Sequence, residues 1–555
     1  MLIELPKNTI AALFDRAFQR HQNFPALGAV DGETLTFAQV QEKSRRLSSL
    51  LLARGIKPGD RVAIISDNCP EWVIAYISLT TVGIVAVPIL TGFPDMDTRH
   101  IIRNSECIAA FVTNKYASKL EGLQQSTLQA IFDLENSDSS RFEEDYLDAK
   151  QRLPKASTRI DSFPQPEPAD LAAIIYTSGT TGHSKGVMLT HNNIVTDVVN
   201  SLEKFPLDHH DRFLSILPLS HTFEATGGML CPLSAGSSIY YLKGLPTPQK
   251  LMTAMESVKP TAVLSVPLVI DKIYRKKVLP QLQGKAVVNR AYRISFFRKF
   301  LHQTAGKKLL KSFGGQLRFF MFGGAALNED VENFLCEAKI SYSTGYGMTE
   351  TSPIMTINPF GKVKIGSCGQ PIPGIEMKIY QPDPVTGIGE IIIRGPITMA
   401  GYYKNPQASQ AAFLPDGWLM TGDLGYFDEE GYLFIKGRSK NVIIGPSGEN
   451  IYPELIEQEI LKSSYIQEVV VYKAQGKMVA KVYLDYDFID QQHHYNNLTE
   501  EEATDLVQSI LEQERLNVNR SLPNFSAINK WIEYPEPFEK TPTNKVKRYL
   551  YIPAE

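Results

Sequence analysis

The chain is poor in cysteine, and the five it has build nothing recognisable. Cys69, Cys107, Cys231, Cys336 and Cys368 are scattered, odd in number and without C-x-x-C spacing. Neither a disulfide framework nor a zinc site fits that pattern, whereas a reducing compartment does. No charge of one sign dominates: 57 Lys and Arg stand against 60 Asp and Glu, a net charge of −3, so nothing global draws the chain to polyanions. No fixed-period repeat is visible, which excludes a solenoid or propeller. The opening segment MLIELPKNTIAALFDRAFQR lacks a basic stretch followed by an apolar core, so it does not read as a secretory signal. One run lacks charge, the 19 residues from Trp72 to Leu90, close to the ~20 that span a bilayer. Thr80, Thr81, Gly83 and Pro88 break it up, so a buried helix, a turn at Gly83 and a buried strand are expected instead.

With 555 residues the chain exceeds a single hydrophobic core. Short apolar runs (RVAIIS, IVAVPIL, AAFVTN) alternate with helical patterns, which reads as α/β with mainly parallel sheets. Residues 154–169 are rich in Pro and Ser and read as a linker. From Asn441 the texture changes to a helix (PELIEQEILKS), two alternating strands (EVVVYK and MVAKVYLDY), a Glu-rich helix and a basic tail. The expected organisation is a large α/β region over 1–438 and a small, mobile α+β domain over 439–555. The charged stretch 436–441 serves as the hinge.

The strand LAAIIY runs directly into Thr177-Ser178-Gly179-Thr180-Thr181-Gly182-His183-Ser184-Lys185-Gly186. Glycines let backbone N–H groups wrap an anion, hydroxyls donate further bonds, and Lys185 adds positive charge. The spacing is not that of a Walker A loop, because two residues separate Gly182 from Lys185. TSGTTGHSKGV resembles the signature loop of the adenylate-forming, AMP-binding enzymes, which include acyl- and aryl-CoA synthetases, luciferases and peptide-synthetase adenylation domains.

Further segments resemble that family in its own order, over about residues 10–550. FFMFGGAAL, with Gly323, Gly324 and Ala325 at its turn, resembles the lining of the adenine pocket. GYGMTE resembles the second motif. It implies Tyr346 stacked on adenine beside Gly347, Thr349 on a phosphate and Glu350 on Mg²⁺. Asp423, in GWLMTGDLGYF, matches the aspartate that takes the ribose hydroxyls. Arg438 falls near ribose and phosphate, and Lys440 at the hinge position, often an aspartate in the family. Gly448, in SGENIYPELIEQEI, lies where the family brings backbone close to pantetheine. Lys545, in KTPTNKVKR, matches the catalytic lysine that bridges carboxylate and α-phosphate. Many members have glycine where this chain has Asn544.

The resemblance implies ATP, Mg²⁺ and CoA as cofactor and substrates. A carboxylic acid becomes acyl-AMP with loss of pyrophosphate, the small domain rotates, and the acyl group passes to CoA. Leu217 to Glu224 (LPLSHTFE) resembles the corresponding stretch of long-chain acyl-CoA synthetases and sets His221 at the border of the acyl pocket. Small residues follow at Thr226, Gly227 and Gly228, with room for an acyl chain. A medium- or long-chain fatty acid is therefore the expected substrate. Transfer to a carrier-protein pantetheine, an aryl-acid substrate and a non-catalytic nucleotide-binding regulator are the alternatives.

Residues 272–328 lack acids altogether, with 13 Lys and Arg and no Asp or Glu. Within them Phe297, Leu301, Ala305, Leu309 and Phe313 recur every fourth residue, flanked by Arg298, Lys299, Lys307, Lys308 and Lys311. That is a basic amphipathic helix. It suits an anionic lipid surface, the phosphates of CoA, or simple packing on the protein's own core. A cytoplasmic location is expected, with peripheral contact at the inner face of an anionic membrane through residues 290–313.

Overall fold

The uncharged run is internal apart from the half-buried Thr81. In the computed structural model, Pro70–Thr80 is a helix buried on all sides, Gly83 makes the turn with φ +78°, and Val85–Pro88 is a buried strand. Gly83 is needed there because that φ is left-handed. No helix among the described residues is long and apolar enough to cross a membrane. The structure describes residues 3–123, 127–134, 163–177, 184–244, 247–283, 290, 292–445, 448–542 and 545–553. Most of the expected linker 154–169 lies outside them.

By compactness the chain divides into two units, one of residues 1–377, 393–419 and 429–433, the other of 378–392, 420–428 and 434–555. Unit 1 holds two large sheets. Among the described residues, one has seven strands in the order Gly401–Tyr402, Lys185–Thr190, Leu171–Thr177, Val85–Pro88, Arg61–Ile65, Cys107–Val112 and Ala130–Asp133. From Leu171–Thr177 to Ala130–Asp133 its neighbours pair in parallel, and the first three strands pair antiparallel. The parallel strands are continuously apolar because helices cover both faces.

Among the described residues the other sheet has nine strands, with Ala262–Ser265, Phe319–Phe322 and Tyr342–Gly347 parallel at its centre. Beyond them Ile354–Ile357 and Gln370–Pro371 turn back antiparallel. One core cluster joins the two sheets, drawing Val62, Ala86 and Val187 from the first, Leu27, Phe213 and Ile239 from the second, and Phe14, Trp72 and Val195 from the helices.

Unit 2 follows the α+β pattern of its sequence. Pro453–Ile460, Ile466–Ala474, Lys477–Leu484 and the 20-residue helix Glu500–Asn519 surround one core, with Lys530–Glu533 as the third strand. Thr499 caps the long helix through a reciprocal bond with Glu502. The unit also takes most of a four-stranded sheet, Glu376–Tyr380, Gly389–Arg394, Leu419–Phe427 and Leu433–Arg438.

The basic helix forms as Ser295–Ser312, and of the three roles open to its fourfold stripe the structure shows packing on the protein's own core. Leu309 and Phe313 are buried, and Leu301 and Ala305 pack against the same core. Only Phe297 of that set is exposed.

One glycine is locked by geometry. Gly369 has φ +86°, and a Cβ there would lie 2.1 Å from the Ile357 carbonyl carbon. Gly369→Ala is expected to lower stability by about 2–5 kcal/mol, read as a lower urea midpoint. A midpoint equal to wild type would show that the strand pair shifts freely.

Candidate active site

The hydroxyl-rich loop closes a hairpin. Leu171–Thr177 and Lys185–Thr190 pair antiparallel with Thr177 opposite Lys185, so both stand at the loop's mouth. Ser178, Gly179, Thr180, Thr181 and Gly182 lie outside the described residues. Gly186 lies against Ile174 and Tyr176, with an added Cβ at 2.9 Å from each, so the mouth has no room for a side chain there.

The third strand, Gly401–Tyr402, adds a residue without a motif of its own. Tyr402 pairs with Val187. Its ring lies under Lys185, with Nζ 5.0 Å from the ring centroid, a cation–π contact. Its hydroxyl donates to Glu350 Oε1 at 2.9 Å. Burial, and then the Glu350 charge, hold that hydroxyl above its ordinary range, so it stays the donor. Met399 N–H also donates to the Glu350 backbone carbonyl, at 2.8 Å. The loop's cation and the second motif's carboxylate thus meet on one aromatic ring.

Glu350 is set there by strand pairing. Gly345 pairs with Ile357, and Gly347 with Ile354. A Cβ on Gly347 would lie 1.8 Å from the Pro353 carbonyl oxygen, so this glycine serves the chain's own hairpin. Tyr346 is half-buried against the central core, and Thr349 is buried in the turn Thr349–Thr351. Phe319–Phe322 runs parallel to this strand with Phe322 opposite Thr344. Gly323 follows the carboxyl end of its strand and Tyr346 lies at the carboxyl end of the neighbouring parallel one, where open α/β sheets take ligands. Gly324 has φ +83°, and Ala325 is exposed.

Phe223 ties the LPLSHTFE segment to that turn, because an added Cβ on Gly323 would meet its ring at 3.0 Å. His221 is half-buried, and its Nδ1 accepts from Phe223 N–H at 3.3 Å. Thr226 Oγ1 donates to the Ser352 carbonyl at 2.8 Å, joining this segment to the Glu350 turn. A narrow apolar cavity lies beside them, lined by Tyr76, Pro88, Ile175, Thr226, Leu230 and Ser352.

The space expected for an acyl chain at Gly228 is already filled. An added Cβ would lie 2.6 Å from the Glu224 carboxyl carbon. Glu224 is wholly buried: Ser215 Oγ donates to Oε1 at 2.5 Å, and Oε2 is without a hydrogen-bond partner. Burial pushes its pKa up to about 8. Ser215 in turn accepts from Asn68 at 2.9 Å, and Asn68 holds Leu217 and Leu219 by their backbones. A neutral acid thus anchors the start of the segment.

In unit 2, Asp423 is buried on Leu419–Phe427 and pairs with Arg438 Nε at 3.1 Å. Ser439 Oγ donates to the Gly422 carbonyl at 3.2 Å, and Lys440 is exposed in the turn Ser439–Asn441. Gly448 has φ +90° with open space beside it. In the basic tail Lys540 and Val546 form an antiparallel bridge, and the ion pairs Lys540–Glu468 and Arg548–Glu457 tie the segment down. Lys545 is exposed, its N–H donating to Thr541 Oγ1 at 3.2 Å and its carbonyl accepting from Thr541 N–H at 2.8 Å.

The family model of the AMP-binding enzymes matches residues 14–403. The chain belongs to that family. Like its other members it is an ATP-dependent, adenylate-forming enzyme. It is similar to a Mycobacterium bovis protein named long-chain-fatty-acid–CoA ligase FadD15, 29% identical over 93% of this chain and 90% of that one. A human protein named long-chain-fatty-acid–CoA ligase 1 is 28% identical over 96% and 84%. Among solved structures, O-succinylbenzoate coenzyme A synthetase from Bacillus subtilis, with ATP and a magnesium ion, shares the fold. Its TM-score is 0.74 at 22% identity, over 97% of this chain and 98% of that one.

Two outcomes follow from this geometry. Tyr402→Phe keeps the ring under Lys185 and removes the hydroxyl from Glu350, whereas Tyr402→Ala removes both. ATP–pyrophosphate exchange should fall about tenfold in the first and about a hundredfold or more in the second. Exchange at the wild-type rate in both would separate Tyr402 from the reaction. Glu224 binds its proton more tightly folded than unfolded. It therefore lowers stability progressively as pH rises from its ordinary 4.5 to about 8. Glu332 and Glu457, each pushed to about 7 by burial, act in the same direction. Glu224→Gln should flatten the fall of Tm across that window, and an unaltered slope would show that Glu224 titrates normally.

Proposed function

We propose that this chain joins a medium- or long-chain fatty acid to AMP, releases pyrophosphate, and passes the acyl group to CoA. The reading rests on the convergence of Lys185 and Glu350 on Tyr402 at the mouth of the Thr177–Lys185 loop. A cation and a carboxylate held apart on one ring suit a triphosphate and its counter-ion. The two relatives named as long-chain-fatty-acid–CoA ligases support the acid and the acceptor.

In this reading Thr177, Ser178, Gly179, Thr180, Thr181, Gly182 and Lys185 hold the leaving phosphates. Gly323, Gly324, Ala325, Tyr346 and Gly347 hold the base, and Thr349 a phosphate oxygen. The acid Asp423, oriented by Arg438, takes the ribose hydroxyls. Glu350 suits Mg²⁺, which accepts one or two carboxylate oxygens and fills its shell with phosphate and water. Bound there, the ion neutralises charge on the phosphates.

A carboxylate oxygen of the fatty acid bonds to the α-phosphorus as the bond to the bridging pyrophosphate oxygen breaks. Lys545 stabilises charge at that centre, and His221 borders the acyl chain. The domain 439–555 then pivots at Lys440, withdraws Lys545 and brings Gly448 to the pantetheine arm, whose thiolate displaces AMP from the acyl carbon. Contact with anionic membrane through 290–313 belongs to the same proposal, because long-chain acids partition into bilayers.

The primary test is pyrophosphate release with a panel of acids, with and without CoA. Fatty-acid dependence and a CoA-dependent thioester product are expected, and release without CoA consumption would replace the acceptor by a carrier protein. Lys545→Ala should lower ATP–pyrophosphate exchange by about a hundredfold to a thousandfold yet still convert supplied acyl-adenylate to thioester. Equal damage to both half-reactions would refute the assigned role.

A further inference from the structure

The helix Ser295–Ser312 is fixed in its roll by its inner face. Gly306 lies so close to Ala338 that an added Cβ would stand 2.6 Å from the alanine Cβ. Arg298 pairs with Glu337 at 2.7 Å, and His302, Leu309 and the following Phe313 are buried. What is left outward is therefore set by the core and not by chance of rotamer.

That outward face has two halves. At the amino end Ile294, Phe296, Phe297 and Phe300 are 53, 76, 48 and 64% exposed. Toward the carboxyl end the same face carries Lys307, Lys308 and Lys311, all exposed. At the 3.6-residue period Phe296, Phe300, Lys307 and Lys311 fall within one quadrant. Lys272, Lys277, Arg290, Arg293 and Lys299 are exposed in the same stretch, which holds no acid between 272 and 328.

Apolar rings left in water beside a cluster of cations match a lipid–water boundary, where rings enter the acyl region and lysines reach lipid phosphates. A second copy of this chain would bring like charges together, which disfavours a homodimer on this face.

We infer that Ile294, Phe296, Phe297 and Phe300 insert into an anionic phospholipid bilayer while Lys307, Lys308 and Lys311 hold its headgroup phosphates. The surface stands on its own geometry, and only its purpose, collecting fatty acid from the bilayer, rests on the proposed function.

The test is flotation of the full chain with vesicles of phosphatidylcholine containing phosphatidylserine, and of phosphatidylcholine alone, at low and high salt. Binding to the anionic vesicles that weakens with salt is expected. Phe296→Ser with Phe300→Ser should weaken it about tenfold or more. Lys307→Glu with Lys311→Glu should remove the preference for anionic lipid. Both variants should release pyrophosphate at the wild-type rate with a short, water-soluble fatty acid, which shows that they are folded.

Absence of wild-type flotation at low salt overturns the proposal, as does flotation of the aromatic variant equal to wild type. Loss of thioester formation in the lysine variant, with adenylation intact and no vesicle binding by wild type, would assign the cations to CoA instead. Vesicle binding by a chain that activates no fatty acid would leave the surface standing and remove the proposed function.

Discussion

A single aromatic ring carries the candidate site. Lys185 and Glu350 come from distant segments of the chain, and neither is placed by a direct bond to the other. Each is referred to Tyr402, one through the face of the ring and the other through its hydroxyl. The ring is in turn fixed by strand pairing, since Tyr402 extends the same antiparallel ladder that closes the hydroxyl-rich hairpin. A protonated phenol and a π-face together tolerate a cation on one side and a carboxylate at the rim without bringing the two charges into direct contact, which would cancel them. Both remain available to a polyanion and its counter-ion.

The surrounding glycines divide by purpose. Gly347 and Gly369 are required by the chain itself, because a side chain at either would collide with neighbouring backbone. Gly323 makes room for the Phe223 ring, and Gly228 for the Glu224 carboxyl. Gly324 and Gly448 instead have left-handed backbone with little or nothing beside them, the arrangement that lets another molecule approach the main chain. A glycine-rich motif in this chain is thus partly a packing requirement and partly an opening.

Much of this was legible in the residues. The break-up of Trp72 to Leu90 into helix, turn and strand followed from Gly83 and Pro88, and the α+β texture after Asn441 from alternating strands and a capped helix. Tyr402 was not legible, because one tyrosine in a two-residue strand has no spacing signal and acquires meaning only through the ladder beside it. Glu224 was likewise hidden: an acid beside small residues reads as a polar edge, yet its carboxyl fills the space those residues leave. The helix Ser295–Ser312 has apolar residues on both faces, and of the three roles its sequence leaves open the fourfold stripe takes packing on the core. Fourfold spacing chose Leu301, Ala305, Leu309 and Phe313, which the core takes, and overlooked Phe296 and Phe300, which it does not.

The interleaving of the two compact units has a practical side. The chain passes from one to the other at 377/378, 392/393, 419/420, 428/429 and 433/434 before the second unit runs on to its end. A gene cut at residue 438 would nevertheless keep together the two apolar cores of the tail, which draw every residue from 443–551. The fragment that begins at 439 would leave behind 378–392, 420–428 and 434–438, and with them the strand bearing Asp423 and its guanidinium neighbour. Such a cut parts the tail's own cores from the four-stranded sheet and leaves Asp423 and Arg438 on the same fragment.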